Sequence, residues 1–307
     1  MVIENLNISL VICTYNRCSY LPSTLLSILN QSLVPSCFQV IIIDNASTDN
    51  TKALADEFIL KQPQLDVSYY FEINKGLSFA RNRGAAEAKY PIIAYVDDDV
   101  ILSPDYLKEL HAFFSLRKSA QGAGGKVIPK YESGKEPTWM NKYLFGFIGK
   151  VDYGNEILKF TTRMKYPAGC NMIYKKELLL QVGGFNNDLK FRSDDKYIFL
   201  KASSASDEIY YVPQAWLYHY IDDRRLQLKN FKTLFLKTGN EEKKRLQSEK
   251  DSLGMLKKLI EYFIKWLASF GLLFIYLLKG QPQKGRYIVI SQWCTLKGFL
   301  MKEVFVR

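Results

Sequence analysis

Ile92-Ile93-Ala94-Tyr95-Val96-Asp97-Asp98-Asp99 is the stretch on which the fold reading turns: five apolar residues run directly into three carboxylates. A continuous apolar run of this length, rich in β-branched and aromatic side chains, predicts a strand buried on both faces, and such strands belong to parallel sheets covered by helices. Its carboxyl end is where open α/β sheets bind their ligands. Three adjacent carboxylates repel one another. The repulsion is relieved by solvation or by a hard cation that gathers their oxygens, and Mg2+ and Mn2+ characteristically join one or two carboxylates to substrate phosphates. A solvated acidic turn ahead of a helix over 105–116 uses the same residues, but the position after a buried strand favours the cation.

Upstream, short apolar runs at 8–13, 40–43 and 67–71 repeat the strand pattern, separated by helical patterns near 51–59 and 77–88 that begin at turn or capping residues. This alternation predicts an α/β domain with a mainly parallel sheet flanked by helices. Downstream of Gly124-Gly125-Lys126-Val127-Ile128 the periodicity weakens, and 130–165, rich in Gly, Lys and aromatics, reads as an excursion on the substrate side. Regular structure resumes at 168–174, with a helix near 175–182, a Gly183-Gly184 turn, a helix from about Asp195 and a strand at 209–212. Beyond Leu226 the pattern is almost wholly helical.

The 307 residues are 48% hydrophobic and 14% aromatic, enough to bury a sizeable core, which excludes a disordered chain. Lys and Arg outnumber Asp and Glu by 42 to 31, for a net charge of +11. Such a balance suits nucleic acid, an anionic membrane surface or phosphorylated substrates. Nucleic-acid binding would rest on charge alone, with no reading motif beside it, so no nucleic-acid partner is expected. Cys13, Cys18, Cys37, Cys170 and Cys294 are scattered and lack Cys-x-x-Cys spacing, which predicts reduced, mostly buried thiols. The first residues lack a basic region followed by an apolar one, so a cytoplasmic location is expected.

Two more strand ends point to the same edge as the acidic cluster: Thr14-Tyr15-Asn16-Arg17 and Asp44-Asn45. A carboxylate such as Asp44 can accept from a uracil imide or ribose hydroxyls, and Arg17 can meet phosphate; both also suit an ordinary loop. His111 and His219 are the chain's two histidines. His111 lies on the 105–116 helix and reads as structural or solvated. His219, taken alone, reads as a satisfied core or turn residue.

Taken in order, 8–17 (Ile-Ser-Leu-Val-Ile-Cys-Thr-Tyr-Asn-Arg), 40–49 (Val-Ile-Ile-Ile-Asp-Asn-Ala-Ser-Thr-Asp), Asn74-Lys75-Gly76, Ala80-Arg81-Asn82 and Tyr95-Val96-Asp97-Asp98-Asp99 resemble the successive signatures of the family 2 glycosyltransferases. The resemblance runs from about Ile8 to Leu226. It implies a GT-A fold and an inverting transfer of a sugar from a nucleotide diphosphate sugar, with a UDP-sugar as default donor and a glycan or lipid-linked acceptor, in bacterial polysaccharide or glycan biosynthesis. It implies that Thr14, Tyr15, Asp44 and Arg81 hold the nucleotide. Asp97 and Asp98 would meet ribose and base-side groups, and Asp99 would bind Mg2+ or Mn2+. Gly183-Gly184-Phe185-Asn186 with Asp194-Asp195 is similar to the family's Gly-Gly-Phe-Asp and Glu-Asp elements, which makes Asp195 the catalytic base and puts Gly184 and Asp194 on the acceptor side. Asp194 stands where Glu is commoner, and Tyr197 where a further acid often stands. His219 and Arg224 match the family's His-x-x-x-x-Arg element, a metal ligand and a diphosphate contact.

The implied organisation is a catalytic domain over 1–225, with a donor half over about 1–128 and an acceptor and base half over about 129–225, followed by a helical region over 226–307. A non-catalytic nucleotide- or carbohydrate-binding protein on the same fold is disfavoured by the presence of both Asp99 and Asp195. A metal-dependent nucleotidyltransferase leaves Asp194-Asp195 and His219 unexplained.

Within 253–278, the run from Trp266 to Leu278 is uncharged and flanked by Lys257, Lys258, Lys265 and Lys279. It is shorter than the ~20 residues a spanning helix needs. Basic residues beside Trp and Phe at helical spacing suit an interfacial helix at the inner face of the cell membrane, peripheral contact running through 253–279. A hairpin buried on the catalytic domain or against a second copy in a homo-oligomer, and a true span, remain open. On the interfacial reading, a chain cut near Lys250 is expected to stay soluble.

Overall fold

The computed structural model describes residues 6–160, 166–189 and 193–302; the last residues of the expected 130–165 excursion lie outside these. The apolar runs of the first hundred residues become strands β1 (Ile8–Thr14), β2 (Phe38–Asp44), β3 (Val67–Phe71) and β4 (Ile92–Asp97). They pair in parallel in the order β3-β2-β1-β4. Every residue of β1 and β2 is buried, as continuous apolar runs between two helical layers require. Helices α1 (Leu21–Leu29), α2 (Thr51–Lys61) and α3 (Leu77–Glu87) make the crossovers.

The sheet is mixed beyond β4. The chain continues through β5 (Val100–Leu102), α4 (Tyr106–Leu116), β6 (Gly122–Tyr131), β7 (Leu158–Lys159), β8 (Asn171–Lys175), α5 (Lys176–Gln181), α6 (Asp194–Ala205) and β9 (Ile209–Ile221). Strand β8 runs antiparallel to β4, β6 antiparallel to β8, and β5 and β7 antiparallel to β9, so the sheet reads β3-β2-β1-β4-β8-β6-β9-β5. The strand expected at 209–212 continues to Ile221 with alternating burial. Pro213, which cannot donate to a ladder, interrupts that pattern in the sequence.

Two compact units are distinguished. The first comprises Met1–Pro129, Gly149–Lys190 and Asp194–Tyr220, and holds one large core built on both faces of the sheet. Three of the five thiols, Cys13, Cys170 and Cys294, are buried, and none of the five is in a disulfide.

The second unit comprises Lys130–Ile148, Phe191–Ser193 and Ile221–Arg307. Its helices are α7 (Asp223–Leu226), α8 (Leu228–Ser248), α9 (Ser252–Leu278) and α10 (Pro282–Leu300). The division departs from the boundary expected at 225/226, because 130–148 packs with the carboxyl-terminal helices. Met140, Leu144, Phe147 and Ile148 share a core with Ile221 and Phe231. Trp139 stacks on Tyr287 with ring centroids 4.2 Å apart. An aromatic segment without periodicity of its own needs apolar partners, and the helices supply them.

Candidate active site

Strand register delivers the first group of side chains. Thr14 lies opposite Asp44, and Cys13 opposite Asp97, so β1, β2 and β4 end together at one edge of the sheet. Asp44 is buried; its carboxylate accepts from the Tyr69 hydroxyl at 2.7 Å and from Ser47 N at 2.8 Å. The Asn45 amide donates to Asn74 O at 2.7 Å and accepts from Gly76 N at 2.7 Å, which fixes the loop that starts α3. Tyr15 is exposed at the rim, with the Lys75 ammonium 5.2 Å from its ring centroid.

The second group is the acidic turn between β4 and β5. Asp97, the last residue of β4, and Asp99 of the turn converge with His219, their ligand atoms all lying within 4.8 Å of one another, while Arg17 reaches both Asp98 and Asp99. Strand β9 sets His219: it is the register partner of Val100, and Tyr220 N donates to Asp99 O at 2.8 Å. Thr24 of α1, fully buried, holds the turn from behind, its hydroxyl 2.8 Å from the carbonyl oxygens of both Asp98 and Val100.

Charge at this turn is incompletely balanced. Arg17 lies 3.1 Å from Asp99 and 3.8 Å from Asp98. Arg81 is ion-paired with Asp194 and lies 3.4 Å from Asp97. Among the described residues, four carboxylates thus face two guanidinium groups. Burial pushes Asp98 up to about 7 against the pull of Arg17, and burial also raises Asp97 against the pull of Arg81. The Cys13 thiol behind them is pushed up to about 12, again by burial. Asp99 Oδ1 is buried and accepts no hydrogen bond among the described residues, yet stands 3.5 Å from His219 Nε2. Two donors that distance apart can share one cation at ordinary bond lengths of about 2.0–2.2 Å. A mixed carboxylate and imidazole set of this kind fits a divalent ion.

The third group approaches from α3 and α6. Arg81 is buried, and its guanidinium also donates to Gly169 O at 3.0 Å. Asp194 is 3% exposed and faces Arg81, inward from the acceptor side expected for it. Asp195, the next residue on the first turn of α6, is half-buried and accepts from Lys196 N at 2.7 Å. Gly184 has φ +70°, and a Cβ there would stand 2.7 Å from Asn82 Oδ1. Asn82 receives the turn on both sides, accepting from Phe185 N and donating to Phe185 O, each at 2.8 Å. Arg224 lies on α7 in the second unit.

Sequence reasoning assigned Asp97 with Asp98 to the nucleotide side; the structure groups Asp97 with Asp99 and His219. The Asp-x-Asp spacing at the end of a strand was the available signal. Thr24 was not singled out and Asn82 was quoted within Ala80-Arg81-Asn82 without a role, since a lone Thr or Asn inside a helix carries no mark of its partners.

The family described as Glycosyl transferase family 2 matches residues 9–183. The chain is a family 2 glycosyltransferase. This glycosyltransferase is 25% identical over 197 residues to the glucosyl-dolichyl phosphate glucuronosyltransferase of Haloferax volcanii, a match that covers 63% of this chain and 60% of that protein. Its fold is GT-A. The mannosyltransferase PcManGT of Pyrobaculum calidifontis, solved with GDP-Man and Mn2+, superposes with a TM-score of 0.62 at 14% identity, covering 94% of this chain and 87% of that one. S. aureus TarS 1-349 in complex with UDP gives 0.56 at 16% identity, covering 95% and 90%. At these identities the structural likeness is one of fold.

Proposed function

We propose that this family 2 glycosyltransferase catalyses a metal-dependent, inverting transfer of a sugar from a nucleotide diphosphate sugar to an acceptor hydroxyl in glycan biosynthesis. The observation that carries the reading is the convergence of Asp97, Asp99 and His219 around a buried Asp99 oxygen that accepts no hydrogen bond among the described residues. These three side chains would hold Mn2+ or Mg2+. The cation supplies positive charge to the diphosphate of the donor. Proteins of the same fold were solved with UDP, for TarS, and with GDP-Man and Mn2+, for PcManGT, which supports a donor of this class.

In this mechanism Thr14, Tyr15 and Asp44, delivered by the ends of β1 and β2, form the nucleotide side. Arg17 neutralises Asp98 and Asp99 and can turn to phosphate when a donor binds. Asp195 takes the proton of the acceptor hydroxyl as that oxygen attacks the anomeric carbon. The bond from that carbon to the diphosphate breaks in the same displacement, so configuration inverts and no covalent sugar intermediate forms. Arg81 and Asp194 fix the start of α6 and so aim Asp195. Arg224 is assigned to the diphosphate on the sequence resemblance alone.

Two substitutions test the assignment by their contrast. Asp99→Asn should weaken Mn2+-dependent binding of nucleoside diphosphate in calorimetry by at least ~10-fold, because a carboxylate ligand is lost. Asp195→Asn should leave that binding intact and lower transfer by at least ~10²-fold, the usual scale for a general base. Unchanged Mn2+ dependence in the first variant, or near-normal turnover in the second, removes the corresponding role.

A further inference from the structure

In the second unit, α9 leaves an apolar face uncovered. Leu256, Ile260, Phe263, Leu267, Phe270 and Phe274 follow one another at spacings of four and three along a single side of the helix, each between 45% and 62% exposed. At 1.5 Å per residue this stripe is about 27 Å long. The opposite side is occupied: Tyr262 and Ser269 are buried, Tyr262 meets Phe299 of α10 edge-on at 5.5 Å, and Trp266 lies 5.1 Å from Trp293 of α10. Trp293 is itself 45% exposed and carries the apolar surface onto α10.

Charge decides the occupant. From Ser252 to Lys302 eight basic residues stand against Glu261 alone, and Glu261 is already paired with Lys258 and Lys265. Lys257, Lys265 and Lys279 are exposed on one flank of α9, and Arg286 and Lys297 are exposed on α10 at helical spacing from Trp293. A second copy of this face would set lysine against lysine across an apolar seam. An anionic bilayer surface offers both partners at once, acyl chains for the aromatic stripe and lipid phosphates for its basic border.

We infer that the α9 and α10 face is a docking surface for anionic phospholipid, with α9 lying in the plane of the interface. By length and composition α9 is long and apolar enough to cross a membrane, but its packing against the other helices argues for the interface. Only 13 consecutive residues of α9, Trp266 to Leu278, are uncharged, and its inner side is fastened to α10. Leu296 and Phe299 of α10 in turn share a core with Leu246 of α8, and α8 carries the buried Glu242–Arg245 pair. Carrying that bundle into hydrocarbon would strand charge without water.

Flotation of the full chain with sized vesicles tests this directly. Binding to phosphatidylglycerol vesicles should exceed binding to phosphatidylcholine vesicles by at least ~10-fold and should weaken as salt rises. Lys257→Glu/Lys279→Glu/Arg286→Glu should lower it by ~10²-fold or more, and Phe263→Ser/Phe270→Ser should lower it comparably. Both variants change exposed positions, so native near-ultraviolet circular dichroism and unchanged nucleoside diphosphate binding should confirm that they fold. Equal flotation on both lipids, or flotation indifferent to the charge reversals, overturns the inference. So does a wild-type dimer in analytical ultracentrifugation that ignores vesicles and becomes a monomer in Phe263→Ser/Phe270→Ser, which assigns the face to a second copy. Wild-type protein that resists alkaline extraction assigns it to a span.

Discussion

Arg81 lies between Asp194 and Asp97 with almost no access to water. Burial works against its charge, and the two carboxylates more than compensate, holding the guanidinium above its ordinary value. Breaking such a group typically costs about 3–5 kcal/mol because a charge is left buried and unpaired, whereas replacing both partners by apolar residues can be nearly neutral. Arg81→Met should therefore destabilise strongly, and Arg81→Met/Asp194→Leu should recover at least ~1 kcal/mol of that loss in a double-mutant cycle measured by urea unfolding. Strict additivity would show that Asp194 does not depend on Arg81. The pair also marks the limit of what could be read from residues alone. Asp97, Asp99, His219, Arg81 and Asp194 were all legible as candidates, but their partners were not. Which carboxylate meets the imidazole and which meets a guanidinium depends on side-chain direction at a strand end, in a turn and at a helix start, and the local sequence does not encode that direction.

Strand β9 shows the same division among elements. It passes so close to β6 that a Cβ on Gly125 would stand 1.8 Å from Ala215 O and 2.3 Å from Asn171 Nδ2. Neither neighbour can yield, since Asn171 is fully buried, donates to Ala215 O at 3.0 Å and accepts from the Tyr106 hydroxyl at 2.8 Å. Gly125→Ala should push β9 away and displace His219, which the same strand carries. We expect a loss of about 2 kcal/mol, within the usual overpacking range, and with it a weaker Mn2+ affinity; thermal melting and metal titration of the one variant read both. A lower melting temperature with unchanged Mn2+ affinity would uncouple the strand from the site. The parallel strands β1 to β4 were visible in the sequence because continuous apolar runs alternate with capped helices. Strand β9 was visible only as far as Val212, because Pro213 breaks the pattern and the antiparallel ladders that rescue it come from residues a hundred positions away.

At the level of the whole chain, the segment 130–148 changes what the carboxyl-terminal helices are for. Read from the sequence, everything after Leu226 is an appendage to a finished domain, and a chain cut near Lys250 is expected to remain soluble. In the structure Trp139 stacks on Tyr287, Phe231 meets Tyr287 edge-on at 5.0 Å, and Ile290 packs against the same core. Ending the chain at Lys250 removes Tyr287 and Ile290, together with Leu296 and Phe299 beside Leu246. Trp139, Phe231 and Leu246 then lose their cover, and burying one large side chain is worth about 1.5–3 kcal/mol. A unit whose shared core is opened at several such places should lose fixed packing rather than fray at one end. The shortened protein is expected to bind a hydrophobic dye, to lose near-ultraviolet circular dichroism from Trp139, and to elute from size exclusion as aggregate. A monodisperse product with a native tryptophan signal would instead mean that 130–148 and α8 hold each other without α9 and α10, leaving those two helices free to serve only the surface they expose.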